Sequence, residues 1–184
     1  MRLPFQGSIE RRRVRLALSP QDRARLTTLR LRAKQRARED RSTVAGLLSL
    51  ARFVAMDLET TGPNMMRDRI ISIGAVAVVE RAVRHDDAFE VVVRQASESR
   101  ADNILIHQIG GQEQRAGVEP MDALLSFLEF LDGSIAVAFR SEFDSTVLGR
   151  ELQDSLGIRA GPRFLDLASM LPALFPNTPN DSLD

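Results

Sequence analysis

Apolar positions along this 184-residue chain fall into two textures. Up to about residue 50 they are sparse and helically spaced. Leu26, Leu29, Ala33 and Ala37 recur among arginines, which predicts a basic amphipathic helix over roughly 20–40. Ser19-Pro20 suits its start, since serine accepts an N-terminal amide hydrogen bond and proline fits the first helical position. Asp22 then complements the helix dipole, and residues 42–50 form a short helical or irregular connector.

From Ala51 the apolar residues come in blocks. Phe53-Val54-Ala55-Met56 reads as a buried strand ending in Asp57, and Thr61-Gly62-Pro63-Asn64 as a turn. Residues 70–79 form a second, long strand and Phe89 to Val93 a third, with a polar link that suits a hairpin. After a loop, Glu119-Pro120 opens a helix whose apolar face is Met121, Leu124, Leu125, Leu128 and Leu131, with Gly133 as its stop. A fourth strand follows at Ile135 to Phe139, then a helix from about Ser141 to Leu156. A fifth strand begins at Phe164-Leu165, with a short helix after it. Three successive strands followed by alternating helices and strands predict an α/β fold with a ribonuclease-H-like mixed sheet. We divide the chain into a basic, mainly helical extension, 1–50, and a domain, 51–184, that is incomplete at its C-terminal end.

Charge reinforces this division. The net charge is zero, but residues 1–50 carry 13 Lys and Arg against four acids, and the rest carries 12 against 21. A basic arm has two readings, phosphate contact or a helix that is merely solvated or docks on the acidic body, and the composition leaves both open. Cysteine is absent, which excludes disulfides and thiolate metal sites and fits a cytoplasmic protein. No apolar run approaches the roughly 20 residues of a membrane span, and the arginine-rich start lacks the apolar core of a secretory signal. No membrane association is expected.

Asp57 and Glu59 lie two apart at a strand end, so they share a face, about 6.5–7 Å apart along the strand. Such a pair repels itself unless a cation bridges it, and hard oxygen ligands suit Mg²⁺ or Mn²⁺. The bland alternative is a pair of exposed turn acids.

The residues around that pair change the balance. Phe53 to Gly62, with Asp57-Leu58-Glu59-Thr60-Thr61-Gly62 at its end, followed by Ile70-Ile71-Ser72-Ile73-Gly74-Ala75, closely resembles the first motif of the DEDD exonucleases. This superfamily includes the epsilon proofreading subunit of bacterial DNA polymerase III, ribonuclease T and oligoribonuclease. The resemblance implies that Asp57 and Glu59 bind two divalent cations, Mg²⁺ or Mn²⁺. It implies also that Leu58, Thr60, Thr61 and Gly62 lie against the terminal nucleotide. Ile106-His107-Gln108-Ile109 resembles the family segment whose histidine approaches that nucleotide, although a structural histidine beside a Gly-Gly turn is the alternative. Val137 to Asp144 resembles the second motif, which makes Asp144 the third metal ligand and Phe143 its companion in the substrate site. Phe139 and Arg140 replace the usual His-Asn there, and the Ser141 to Asp144 spacing equally suits a capping box.

The third motif supplies a His or Tyr and a fourth Asp, and it does not appear. Leu165-Asp166-Leu167 and Asn180 to Asp184 match only the segments that precede it, so Asp166, Asp181 and Asp184 are poor substitutes. The expected activity is 3′→5′ removal of nucleotides by metal-dependent hydrolysis, on single-stranded 3′ ends of DNA in preference to RNA, with a DNA polymerase as an implied partner. With three of four carboxylates, the chain as it stands should be nearly inactive. A catalytically dead binding module of the same fold and an RNA 3′-exonuclease are the alternatives.

Overall fold

The computed structural model describes residues 18–39, 52–159 and 161–176. The expected connector at 42–50, the side chains of Ala33 and Ala37, and residues 180–184 lie outside the described residues. The elements are α1 (Pro20–Glu39), β1 (Phe53–Thr60), β2 (Ile70–Val79), β3 (Ala82–Val92), α2 (Ala101–His107), α3 (Gly111–Ala116), α4 (Pro120–Leu131), β4 (Ile135–Ala138), α5 (Glu142–Leu156), β5 (Phe164–Asp166) and α6 (Leu167–Leu174). The five strands form one mixed sheet in the order β3-β2-β1-β4-β5. β1, β2 and β3 pair antiparallel, while β4 runs parallel to β1 and β5 parallel to β4. This is the mixed ribonuclease-H-like sheet that the strand order predicted.

β2 and β3 meet through a two-residue turn, Glu80-Arg81, with φ of 52° and 67°. Left-handed pairs of this kind match the twist of the strands they join. β3 begins at Ala82, well before the Phe89 expected from hydrophobicity. Its pairing jumps from Ala88 opposite Val76 to Arg84 opposite Ala77, so residues 85–87 loop out at the sheet edge. An edge strand exposed to water needs no apolar alternation, and its polar half therefore hid in the sequence.

The core lies on one face of the sheet. β1 turns Val54, Met56 and Leu58 inward, where they pack with Ala123, Leu124, Phe127 and Leu131 of α4 and Val147, Leu148, Leu152 and Leu156 of α5. Phe89 joins from β3, its ring 5.6 Å from Phe127 and 5.4 Å from Phe130. α4 ends with Asp132 in the left-handed region, φ 37°, one residue before the expected stop at Gly133, which follows at φ 77°.

α1 is the basic helix, and it is docked. Ser19 Oγ accepts from Asp22 N–H at 3.1 Å, capping the helix start. Leu18 and Leu26 are 2% exposed and belong to the same core as the sheet. Arg25 spans both oxygens of Glu129 at 2.8 Å and reaches Ser126 Oγ at 3.0 Å, and Arg32 pairs with Asp132 at 3.3 Å. This part of the arm is docked on acidic α4. Among the described residues no helix is long and apolar enough to cross a membrane.

Candidate active site

Strand alternation decides which carboxylates meet. With Val54, Met56 and Leu58 in the core, Phe53, Ala55, Asp57 and Glu59 occupy the opposite face; Asp57 is exposed and Glu59 half-buried. Across the sheet Asp57 pairs with Gly74, where a Cβ would meet nothing within 4 Å. The sheet is thus bare beside Asp57, which leaves room for a ligand to approach its backbone.

The third carboxylate comes from the parallel side. β4 ends at Ala138, and a turn through Phe139 and Arg140 leads into α5. Arg140 sits in the left-handed region at φ 53°, its guanidinium 5.4 Å from the Phe139 ring centre. Ser141 is the N-cap residue but its side chain makes no capping bond, so the capping-box reading of Asp144 does not hold. Asp144 lies in the first turn of α5, only 4% exposed, near the β1 end.

Electrostatics link the three. Burial, followed by the charge on Asp57, pushes the Asp144 carboxyl up to about 6, against the opposing pull of its own backbone N–H and that of Leu58. Glu59 is pushed up as well, by burial first and Asp57 second, while His107 draws it down. Asp57 therefore acts on both partners, and the Leu58 peptide lies at the Asp144 carboxyl. Among the described residues no three such groups approach closely enough to enclose an ion as they stand.

The remaining expected residues surround this end of β1. His107 closes α2, is 9% exposed, and accepts at Nδ1 from the Ile109 N–H at 3.0 Å. Thr60 Oγ1 donates to Gly62 O at 2.8 Å, and Thr61 Oγ1 donates to Asp68 at 3.2 Å while accepting from Arg69 N–H at 3.0 Å. Both hydroxyls are thus committed to the turn. The Leu58 side chain lies in the core, so only its backbone borders the site, and Phe143 is half-buried against the core. Asp166 caps α6, accepting from Ala168 N–H at 3.0 Å and from Ser141 N–H at 3.4 Å.

Two residues that shape the site escaped the sequence reading. Asn103 Nδ2 donates to Thr60 O at 2.7 Å, tying α2 to the end of β1. It stands four residues before His107, on one helix face with it, and that spacing was the available signal. Asp68 accepts from Asn64 N–H at 2.7 Å as well as from Thr61, and its carbonyl accepts from Arg150 of α5. α5 thereby grips the turn that follows Glu59.

Comparison with known proteins agrees with this fold. The RNase T family model, described as an exonuclease, matches residues 54–184. A PolC-type DNA polymerase III of Caldanaerobacter subterraneus subsp. tengcongensis is 29% identical over 134 residues, 72% of this chain but 9% of the polymerase. The DNA polymerase III epsilon subunit of Buchnera aphidicola subsp. Acyrthosiphon pisum is 26% identical over 137 residues, covering 70% of this chain and 57% of that subunit. The chain therefore spans less than two thirds of either relative. Exonuclease I of E. coli, solved with a 5cy-dT13 oligonucleotide, shares the fold with a TM-score of 0.60 at 16% identity, over 70% of this chain and 31% of that one. Exonuclease I of Methylocaldum szegediense gives 0.59 at 19% identity, over 69% and 30%.

Proposed function

The chain belongs to the RNase T family of exonucleases, and from that premise we propose that it hydrolyses nucleic acid from the 3′ end, with divalent cations as cofactors and single-stranded DNA as the favoured substrate. The observation that carries this reading is the Asp144 carboxyl, buried and raised to about 6 beside Asp57. A fold that buries one carboxylate beside another against their repulsion fits a site for hard cations. Asp57, Glu59 and Asp144 would hold Mg²⁺ or Mn²⁺. When bound, such ions supply the charge that acidifies an attacking water and neutralises a leaving oxygen.

The other residues serve the substrate. The bare sheet at Gly74 admits the terminal phosphodiester to Asp57. The turn from Thr60 to Gly62, held by Asp68, lies against the terminal nucleotide, with Phe143 on its far side. His107, whose Nε2 is buried and has no hydrogen-bond partner among the described residues, donates to an oxygen of that nucleotide. DNA is favoured over RNA because the relatives are DNA polymerase III proteins and one fold neighbour was solved with a DNA oligonucleotide. The same relatives support action beside a DNA polymerase. With three carboxylates of the family's four, residues 1–184 alone would turn over slowly.

The test is mononucleotide release from a 3′-labelled single strand with Mg²⁺ or Mn²⁺, compared with a 5′-labelled strand. We expect label to leave the 3′ end first, and Asp57→Ala or a chelator to stop it. Release from the 5′ end, or release indifferent to Asp57→Ala, would overturn the proposal.

A further inference from the structure

Residues 94–118 leave the sheet, build α2 and α3, and return to it where Val118 N–H donates to Val92 O at 2.8 Å and Arg94 N–H to Val118 O at 2.7 Å. Inside this excursion lies Gln114, fully buried at 0% exposure. Its amide is used at both ends. Oε1 accepts from the Ser99 N–H at 3.0 Å and the Ser99 hydroxyl at 3.1 Å, and Nε2 donates to the Ile109 carbonyl at 2.8 Å. Ser99 precedes α2 and Ile109 follows it, so one side chain clasps both ends of the helix that carries His107.

The Ile109 residue is the pivot. While its carbonyl is held by Gln114, its N–H donates to His107 Nδ1 at 3.0 Å. A neutral imidazole that accepts at Nδ1 carries its proton on Nε2. That Nε2 is the buried atom with no partner among the described residues, and Asn103 ties the helix bearing the ring to the end of β1. A buried donor without a partner is costly, so a nucleotide oxygen admitted beside it would relieve that cost.

We propose that Gln114 is a positioning residue for the exonuclease reaction: by holding the Ile109 backbone it fixes His107 as the Nε2–H tautomer, a ready donor to an oxygen of the bound nucleotide. This rests on the reading of His107 as a substrate contact. Without the Gln114 amide, the backbone at Ile109 is free to turn, its N–H leaves Nδ1, and the ring can take the other tautomer. Nε2 would then present a lone pair where the substrate presents oxygen lone pairs, and the two would repel.

The experiment uses the full chain labelled with ¹⁵N and reads the imidazole nitrogens by long-range ¹H–¹⁵N correlation at mildly alkaline pH. The sequence holds two histidines, and His85→Gln assigns the signals. His107 should show the Nε2–H pattern in the unaltered chain and a mixture of tautomers in Gln114→Met, which keeps the volume and loses the amide. Ser99→Ala, which removes the hydroxyl bond to Gln114 Oε1 and keeps the backbone one, should leave the His107 pattern intact. Gln114→Glu retains an acceptor for Ser99 without a donor for Ile109, and serves if the Met variant fails to fold. On the 3′-labelled strand, Gln114→Met should raise KM about tenfold with a smaller effect on kcat, and add little in a His107→Ala background. A His107 ring unchanged in the Gln114 variants, or equally disturbed by Ser99→Ala, would overturn the proposal. So would a changed ring with unchanged KM. Failure of the exonuclease reading is separable, because it shows as release indifferent to Asp57→Ala.

Discussion

Asp144 lies beside Asp57 at the end of β1, and burial first, then the Asp57 charge, pushes its carboxyl up to about 6. The sign of the consequence follows from linkage. The folded chain binds this proton more tightly than the unfolded chain, whose ordinary value is 3.8, so the group costs stability increasingly as pH rises from about 4 through 6. At neutral pH the cost is on the order of 2–3 kcal/mol. With chelator present, Asp144→Asn should therefore raise the Tm at pH 7.5 and leave it nearly unchanged at pH 4. Adding Mn²⁺ should stabilise the unaltered chain and not the variant, reducing or reversing the difference. Thermal unfolding at the two pH values, with and without Mn²⁺, checks both statements.

The docked helix makes a separate expectation. Leu26 is 2% exposed in the shared core, so Leu26→Ala should cost about 2–4 kcal/mol. Arg25→Ala loses a two-pronged contact at partial exposure and should cost about 1 kcal/mol. The Arg25 hydrogen bond holds the Glu129 carboxyl below its usual range, so this contribution is present above the unfolded value and fades as pH falls through the folded one. Denaturant unfolding with a double-mutant cycle at Arg25 and Glu129 measures the coupling. A nucleic-acid affinity whose salt dependence is unchanged in Arg25→Ala would show that this arginine serves docking alone.

Much of this was legible because buried periodicity and chemistry coincided. β2 ran over residues 70–79 as its apolar block predicted, and the alternation that buries Val54, Met56 and Leu58 leaves Asp57 and Glu59 on the other face. What stayed hidden was held by polar contacts that leave no period. The outer half of β3 is exposed, α2 and α3 are only seven and six residues long, and the latter are held by Asn103 and Gln114 through side-chain bonds to backbone. The spacing of Ser141 and Asp144 suggested a cap, and only the backbone at Ser141 (φ −57°, ψ −7°) shows that the serine makes none. The Leu58 side chain, grouped with the substrate residues by motif, follows strand alternation into the core instead.

The turn after Glu59 is packed without slack. A Cβ on Gly62 would stand 2.7 Å from Asp68 Oδ2, and that oxygen is already held by the Asn64 N–H. Gly62→Ala must break this bond or shift the turn, and should cost about 1–2 kcal/mol while lowering nuclease activity. Asp68→Ala removes both the obstacle and the clamp. In that background the Gly62 substitution should cost little more, a non-additivity readable in paired unfolding curves. Additive costs would mean that the close approach does not govern the turn.

The catalytic expectation turns on how three carboxylates share one task. Asp57 influences both Glu59 and Asp144, whereas no Glu59 influence on Asp144 is resolved. Loss of Asp57 should therefore loosen any cation held by the cluster more than loss of either partner. Asp57→Ala should reduce mononucleotide release by more than about 10²-fold, beyond the roughly 10–100-fold typical when only a group supporting a metal ligand is lost. Asp144→Asn keeps size and one oxygen but removes a charge, and should need higher Mn²⁺ for half-maximal rate as well as losing turnover. Glu59→Gln should fall between them. The double variant Asp57→Ala with Asp144→Asn should be little worse than Asp57→Ala, since residues that work as a unit lose their effect together. The comparison is made under single-turnover conditions with excess protein, where slow release remains measurable. Equal losses in all three single variants that multiply in the double would show independent roles for the carboxylates and refute a shared cation.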